Sequence, residues 1–388
     1  MKLAKRIMSI EPSVTLGITS KAKEMVSSGE DVVILAAGEP DFDTPEAVKE
    51  AAIKAIREGK TKYTPVVGTQ ALREAICRKL KNDNGLGYEP SEVVVSNGAK
   101  HSLYNILQVI CNPGDEVLII SPYWLSYPEM VKLAGGVPKI LPMRTENGFK
   151  INAGDIKSSL TGKTRALIIN SPSNPAGVVY TRDELAMIAG TCVEAGITII
   201  SDEIYEKIIF DNEKHFSIAA SSPEARSMTV VVNGLSKSHS MTGWRMGYAA
   251  GDKEMMKKIS ILQGQSTSNA CSITQAASER ALAGDLEEEI KRNCREFEKR
   301  RDVLMGLLAR EEKIKPFKPK GAFYLFCDIS RCGMDSLTFA KRLLAEKRVA
   351  VIPGGPFGAD GFIRMSFATK VENLEKGISR IKDWVRSV

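Results

Sequence analysis

A mostly parallel α/β sheet covered by helices on both faces, followed by a smaller α+β domain, is the fold class that this 388-residue sequence predicts. Three observations carry it. Short, continuous apolar runs rich in Val and Ile alternate with helical stretches from about residue 45 to about residue 285, the pattern of strands buried on both faces. The helical stretches between the runs are amphipathic, as helices laid on a sheet must be. After about Ala281 the texture changes to a long charged helix and a second set of strand candidates.

In chain order, the first clear helix is expected to open at Thr44-Pro45, a cap followed by proline at the first turn, and to end before Gly59. Its apolar stripe is Ala47, Val48, Ala51, Ala52, Ala55 and Ile56. The buried strand candidates are Val93 to Val95, Val117 to Ile120, Ala166 to Ile169, Ile197 to Ile200 and Thr229 to Val232. Thr181-Arg182-Asp183-Glu184 reads as a capping box opening a helix that runs to about Gly196. The charged helix extends through Arg310, and Phe323 to Cys327, Val349 to Ile352 and Phe362 to Phe367 are the later strand candidates. The expected division is an N-terminal segment, 1–44, associated with the small domain, a large domain, 45–285, and a small C-terminal domain, 286–388.

Composition narrows the function classes. With 54 Lys+Arg against 47 Asp+Glu the net charge is +7, and 26% charged with 43% hydrophobic residues is the balance of an ordinary globular protein. The basic residues are interleaved with acidic ones, as in Glu287-Glu288-Glu289-Ile290-Lys291-Arg292, so no nucleic-acid footprint is expected. No apolar run approaches the ~18 residues of a membrane span, and the first residues lack the apolar core of a signal peptide. Seven scattered cysteines without a C-x-x-C pair point to reduced thiols and a cytoplasmic location.

In open α/β sheets ligands bind beyond the carboxyl ends of the strands. There the sequence places Asn170-Ser171-Pro172-Ser173-Asn174-Pro175, Ser201-Asp202-Glu203-Ile204-Tyr205, and Asn233-Gly234-Leu235-Ser236-Lys237. Singly, such residues also cap helices or face solvent. Together they match a cofactor site needing an amine nucleophile, an anionic partner for a pyridinium nitrogen, and donors to a phenolate oxygen. Ser96-Asn97-Gly98-Ala99-Lys100, between a strand and a helix, offers either a plain tight turn or backbone N–H groups for a phosphate. Gly162-Lys163-Thr164 lacks the P-loop's first glycine and helix, and no nucleophile elbow is present. His101, His215 and His239 have no ligand spacing with the cysteines, so no metal is expected.

These motifs, with Ala37-Gly38-Glu39-Pro40-Asp41-Phe42-Asp43-Thr44-Pro45, Lys62-Tyr63, Ser121-Pro122-Tyr123-Trp124 and Ser236-Lys237 through Met241-Thr242-Gly243-Trp244-Arg245, resemble the fold-type I pyridoxal-phosphate aminotransferases of class I, bacterial aspartate aminotransferase subgroup. The resemblance covers essentially the whole chain. It implies pyridoxal 5'-phosphate held as a Schiff base on Lys237, which also shuttles the proton, Asp202 at the ring nitrogen, and Asn174 and Tyr205 at the phenolate oxygen. It further implies Trp124 stacked on the ring, and the phosphate held by Gly98, Ala99 and Lys100 backbone groups with Arg245. Tyr63 would reach the phosphate of the neighbouring subunit in a homodimer. A serine that binds phosphate in some members is Gly234 here, a departure from the family pattern at that contact.

Arg364 matches the family's arginine for the substrate α-carboxylate, a group that suits a planar bidentate donor, with a Gly38 N–H beside it. Trp124 and Asn174 complete that side. Lys100 occupies the place that reads the distal carboxylate, with Ser266-Thr267-Ser268 of the partner chain assisting. The implied reaction moves the amino group of L-aspartate to 2-oxoglutarate by a ping-pong cycle. An aromatic or prephenate aminotransferase is the nearer alternative, but relatives that accept prephenate tend to carry a basic residue before the Pro12-Ser13 pair, and Glu11 at that place counts against it. A lyase or decarboxylase on the same fold is the more distant one. A pyridoxal-dependent transcription regulator is not expected, because the stretch ahead of Gly38 leaves no room for a DNA-binding domain.

Overall fold

The computed structural model describes residues 3–12 and 14–387; Ser13, half of the Pro12-Ser13 pair, lies outside the described residues. In chain order the strands are Val33–Ile34 (β1), Val93–Ser96 (β2), Glu116–Ser121 (β3), Val137–Pro142 (β4), Thr164–Asn170 (β5), Thr198–Asp202 (β6), Thr229–Gly234 (β7), Gly247–Ala250 (β8), Lys315–Phe317 (β9), Tyr324–Asp328 (β10), Val349–Ala350 (β11), Ile352–Pro353 (β12) and Phe362–Ser366 (β13). Seven of them form one sheet in the order β2-β8-β7-β6-β5-β3-β4, in which only β8 runs against the rest. Its middle is apolar on both faces: Val231, Val232, Ile199, Ile200 and Leu167 are all fully buried. Each such side chain contributes about 1.5–3 kcal/mol relative to an exposed one, so the sheet is a rigid floor for whatever its strand ends carry.

The five expected strands of this sheet are β2, β3, β5, β6 and β7. Two more were not read from the sequence. β4 is a half-exposed edge bracketed by Pro138 and Pro142, and β8, Gly-Tyr-Ala-Ala, lacks the β-branched residues that mark a strand. The Thr181 capping box is present, and its helix ends at Glu194.

Thr44 is not a helix cap. The helix Glu46–Arg57 starts from Pro45 with no side-chain cap, while the Thr44 hydroxyl donates to Ser240 O at 2.8 Å and accepts from Trp244 Nε1 at 2.9 Å. The long charged helix spans Glu287–Leu308. The expected strand over 349–352 is divided between two partners: β11 pairs in parallel with β1, and β12 pairs with β13 in the four-stranded antiparallel sheet β12-β13-β10-β9. That division ties the N-terminal segment to the small sheet.

Candidate active site

Parallel strands deliver their carboxyl ends to one edge, and β5, β6 and β7 deliver Asn170, Asp202 and the loop to Lys237. Asn170 links the first two: its Nδ2 donates to Asp202 O at 2.8 Å and its Oδ1 accepts from Asn174 N at 2.8 Å. Buried Asp202 accepts from Tyr127 Oη at 2.6 Å through Oδ2 and from Ile204 N at 3.3 Å through Oδ1. Burial pushes its pKa up to about 6 against those two donors.

The Lys237 amine donates to Gly38 O at 2.7 Å. Burial brings its pKa down to about 8; Arg364 and Arg245 act in the same direction, and Glu39 and Asp202 oppose them. Tyr205 Oη shares a hydrogen bond of 2.9 Å with Tyr324 Oη. Arg364, on β13 and 2% exposed, crosses from the small sheet. Its Nη1 donates to Asn174 Oδ1 at 3.0 Å and its Nη2 to Ala36 O at 3.1 Å, whereas buried Nε has no partner among the described residues. The Tyr324 ring lies 4.2 Å from its guanidinium carbon.

At the other side of the site β2 turns into the helix Ala99–Ile110 through Gly98, whose φ of +89° suits glycine. A β-carbon at Gly98 would collide with the Arg245 guanidinium, and one at Gly247 with Ala99 N. The glycines therefore leave a cradle in which a helix N-terminus and an arginine face the same small space, the requirements of an anion site. Arg245 itself adopts φ +54°, a conformation costing a bulky residue about 1–3 kcal/mol, and its Nη1 donates to Thr242 O at 2.8 Å and its Nη2 to Asn97 O at 3.4 Å. Lys100 stands exposed one residue on, 4.7 Å above the Trp124 ring centroid. Partial burial, then Arg245, lower its pKa.

These groups line one cavity of about 460 Å³, which Gly38, Ala99, Lys100, Trp124, Asn174, Asp202, Tyr205, Lys237, Arg245 and Arg364 all reach. That is the size of a small-molecule site. Of the residues singled out from the sequence, Gly98 supports the cavity from behind Arg245, and Tyr63 does not reach it. Tyr63 is 91% exposed, on a shallow surface concavity with Thr267 and Ser268.

The aminotransferase class I and II family model matches residues 30–381. The chain belongs to that family. This aminotransferase is 49% identical to the aspartate aminotransferase of Geobacillus stearothermophilus over 98% of both chains. It is 47% identical to a probable aspartate/prephenate aminotransferase of Aquifex aeolicus, again over 98% of both. The aspartate aminotransferase from Thermus thermophilus with maleate superposes with a TM-score of 0.95 at 42% identity, covering 99% of each chain.

The structure of the aminotransferase adds residues that the sequence did not single out. Tyr127 holds Asp202, and Tyr324 joins Tyr205 to Arg364. Tyr127 follows Trp124 by three positions at the start of the helix Ser126–Leu133, and that spacing was the available signal. Tyr324 carries no such signal, since it lies 119 residues from its partner.

Proposed function

We propose that the protein is a pyridoxal-phosphate-dependent aspartate aminotransferase, cytoplasmic and homodimeric, passing the amino group of L-aspartate to 2-oxoglutarate. The observation that carries this reading is the convergence of the Lys237 amine, the buried Asp202 carboxylate and the buried Arg364 guanidinium on one cavity. The residues fit the cofactor: the Gly98–Ala99 turn with Arg245 offers a phosphate cradle, Asp202 an anion for the ring nitrogen, Tyr205 and Asn174 donors for the ring oxygen, Trp124 a face to stack on, and Lys237 the amine for the aldehyde.

When bound, pyridoxal 5'-phosphate supplies the aldehyde that takes up the amino group and the ring that accepts the electron pair left at the α-carbon. The chain supplies the rest. With its pKa near 8, Lys237 has a useful fraction of neutral amine at working pH and moves the proton from the substrate α-carbon. Asp202, ionised at neutral pH, holds a proton on the ring nitrogen. Arg364 takes the α-carboxylate with two parallel N–H donors, beside Gly38.

Lys100 reads the distal carboxylate, and the maleate of the Thermus thermophilus relative is likewise a dicarboxylate. Because Arg364 comes from the small sheet and Lys237 from the large one, a substrate spans 45–285 and 286–388, with 1–44 moving with the latter, and draws the two parts together. Tyr63, exposed beside Thr267 and Ser268, serves the partner's site.

The test is a titration of the cofactor-loaded protein followed by visible absorption. Aspartate and glutamate should bleach the cofactor band at lower concentrations than alanine or phenylalanine, and oxaloacetate or 2-oxoglutarate should restore it. Relatives named aspartate/prephenate aminotransferase, at 47% identity, support a second reading with prephenate as the acceptor. Restoration of the band by prephenate as readily as by 2-oxoglutarate would favour it, and absence of any band would refute both.

A further inference from the structure

Tyr127 lines the cavity together with Asp202 and Trp124. It is 2% exposed, near the start of the helix Ser126–Leu133. Its hydroxyl lies 2.6 Å from Asp202 Oδ2, the short separation of an O–H donor on an ionised carboxylate. Its ring meets Trp124 edge to face, with centroids 5.4 Å apart and planes at 86°. One side chain thus touches both the carboxylate and the aromatic face assigned to the same cofactor ring.

We infer that Tyr127 is a positioning residue, which fixes the direction and ionised state of the Asp202 carboxylate while bracing Trp124, so that the cavity prefers a ring whose nitrogen can carry a proton. The inference rests on the pyridoxal-phosphate reading of the cavity.

The surroundings of Asp202 show why a neutral donor is needed. Ile204 N–H occupies Oδ1 at a longer 3.3 Å, and Asn170 spends its donor on the backbone carbonyl. Neighbouring Glu203 disfavours the charge, and Lys237, from the loop after β7, favours it only weakly. Tyr205 follows on the same segment, its hydroxyl engaged with Tyr324. Tyr127 is left as the strongest group holding the carboxylate ionised, and burial together with Asp202 keeps the phenol protonated far above working pH. Such a donor does not switch with pH, and removing it leaves one oxygen of a buried anion without a partner.

The experiment compares the affinity of the cofactor-free chain for pyridoxal 5'-phosphate with its affinity for the analogue carrying carbon in place of the ring nitrogen. Tyr127→Phe keeps the ring against Trp124 and removes only the donor; Tyr127→Leu is the second variant if the first does not fold. The expected result is a loss of about tenfold or more in affinity for the natural ring and little change for the carbon analogue. In an Asp202→Asn background the same substitution should cost nothing further. An equal loss for both ligands would make Tyr127 a merely structural residue and overturn the inference, as would an undiminished preference for the natural ring. If the unsubstituted chain binds neither ligand, the cofactor reading itself fails, a result that no Tyr127 variant can imitate.

Discussion

Asp202 ends β6, Glu206 follows four residues later and both are buried, yet the protein treats their carboxyls in opposite ways. Burial pushes Asp202 up to about 6, because its direct partners are a phenol and a backbone N–H. Burial acts on Glu206 too, but the Lys79 ammonium, His215 and the Asn84 amide outweigh it and hold the carboxyl down to about 2. His215 also meets Glu203 at 2.9 Å, and Ser201 and Ser217 donate to the other Glu203 oxygen at 2.8 and 2.6 Å. Glu203, Glu206 and His215 gather closely enough to hold a cation, a grouping made by the fold and not by any ligand spacing in the sequence. Their neighbours already supply donors and a positive charge. Where charge serves the fold, it is matched within the chain; where it faces the cavity, matching is left to a ligand.

The sharpest way to break that contrast is at Lys237, the amine held down to about 8 on the cavity floor. Lys237→Ala should cut steady transamination by at least about a thousandfold, the range in which a positioned base operates. The same substitution removes a poorly matched charge, so the cofactor-free variant should melt no lower than the parent. Full turnover in the variant would remove Lys237 from the chemistry, and a lower melting temperature would show that its charge is matched after all.

On the Glu206 side the expected losses are exchanged. Lys79→Ala strips a buried carboxylate of its cation and should destabilise the chain by about 3 kcal/mol in urea unfolding. Turnover per folded molecule should stay near the parent value. If turnover fell while stability held, the two regions would not be separate systems.

The contrast also explains what the sequence could and could not disclose. Asn170, Asn174, Asp202 and Lys237 were legible because a strand end is a local feature: an apolar run stops and polar residues follow within a few positions. Arg364 was legible only through resemblance, since nothing in Phe362-Ile363-Arg364-Met365 says that β13 points the guanidinium at Asn174, 190 residues away. The Lys79–Glu206 pair and the Tyr127–Asp202 bond are likewise products of sheet order, the latter joining residues 75 apart. Thr44 misled for the same reason: its hydroxyl bonds with the loop around Ser240 and Trp244, a tertiary partner that outcompeted the cap.

Within the cavity Arg364 and Lys100, the two cations proposed to take the substrate, differ in burial, and their variants should differ accordingly. Arg364→Ala leaves the α-carboxylate without its buried fork and should lower kcat/KM by about a hundredfold for aspartate, glutamate and alanine alike. Exposed Lys100 has a single amine and a watery side, so Lys100→Ala should cost about tenfold for aspartate and glutamate and spare alanine. Equal loss for alanine would take Lys100 out of specificity.

The smallest effect is also the most direct comparison of the two carboxyls: the stability of the cofactor-free chain against pH. A carboxyl whose folded pKa is raised above the ordinary 3.8 binds its proton more tightly in the folded chain, so Asp202's contribution is fullest below 3.8 and is lost as pH rises through about 6. Glu206 has the opposite sign: its contribution is present above the ordinary 4.5 and is lost as pH falls through about 2. Asp202→Asn should therefore flatten the fall in stability between pH 4 and 6 and leave the variant more stable than the parent at neutral pH, by on the order of 1 kcal/mol because the amide keeps one acceptor for Tyr127. Glu206→Gln should do the reverse, lowering stability at neutral pH and narrowing its gap to the parent in acid. Urea unfolding at a series of pH values separates the two; parallel curves for Asp202→Asn and the parent would mean that Asp202 is as well matched within the chain as Glu206, and that the cavity holds no charge in reserve for a ligand.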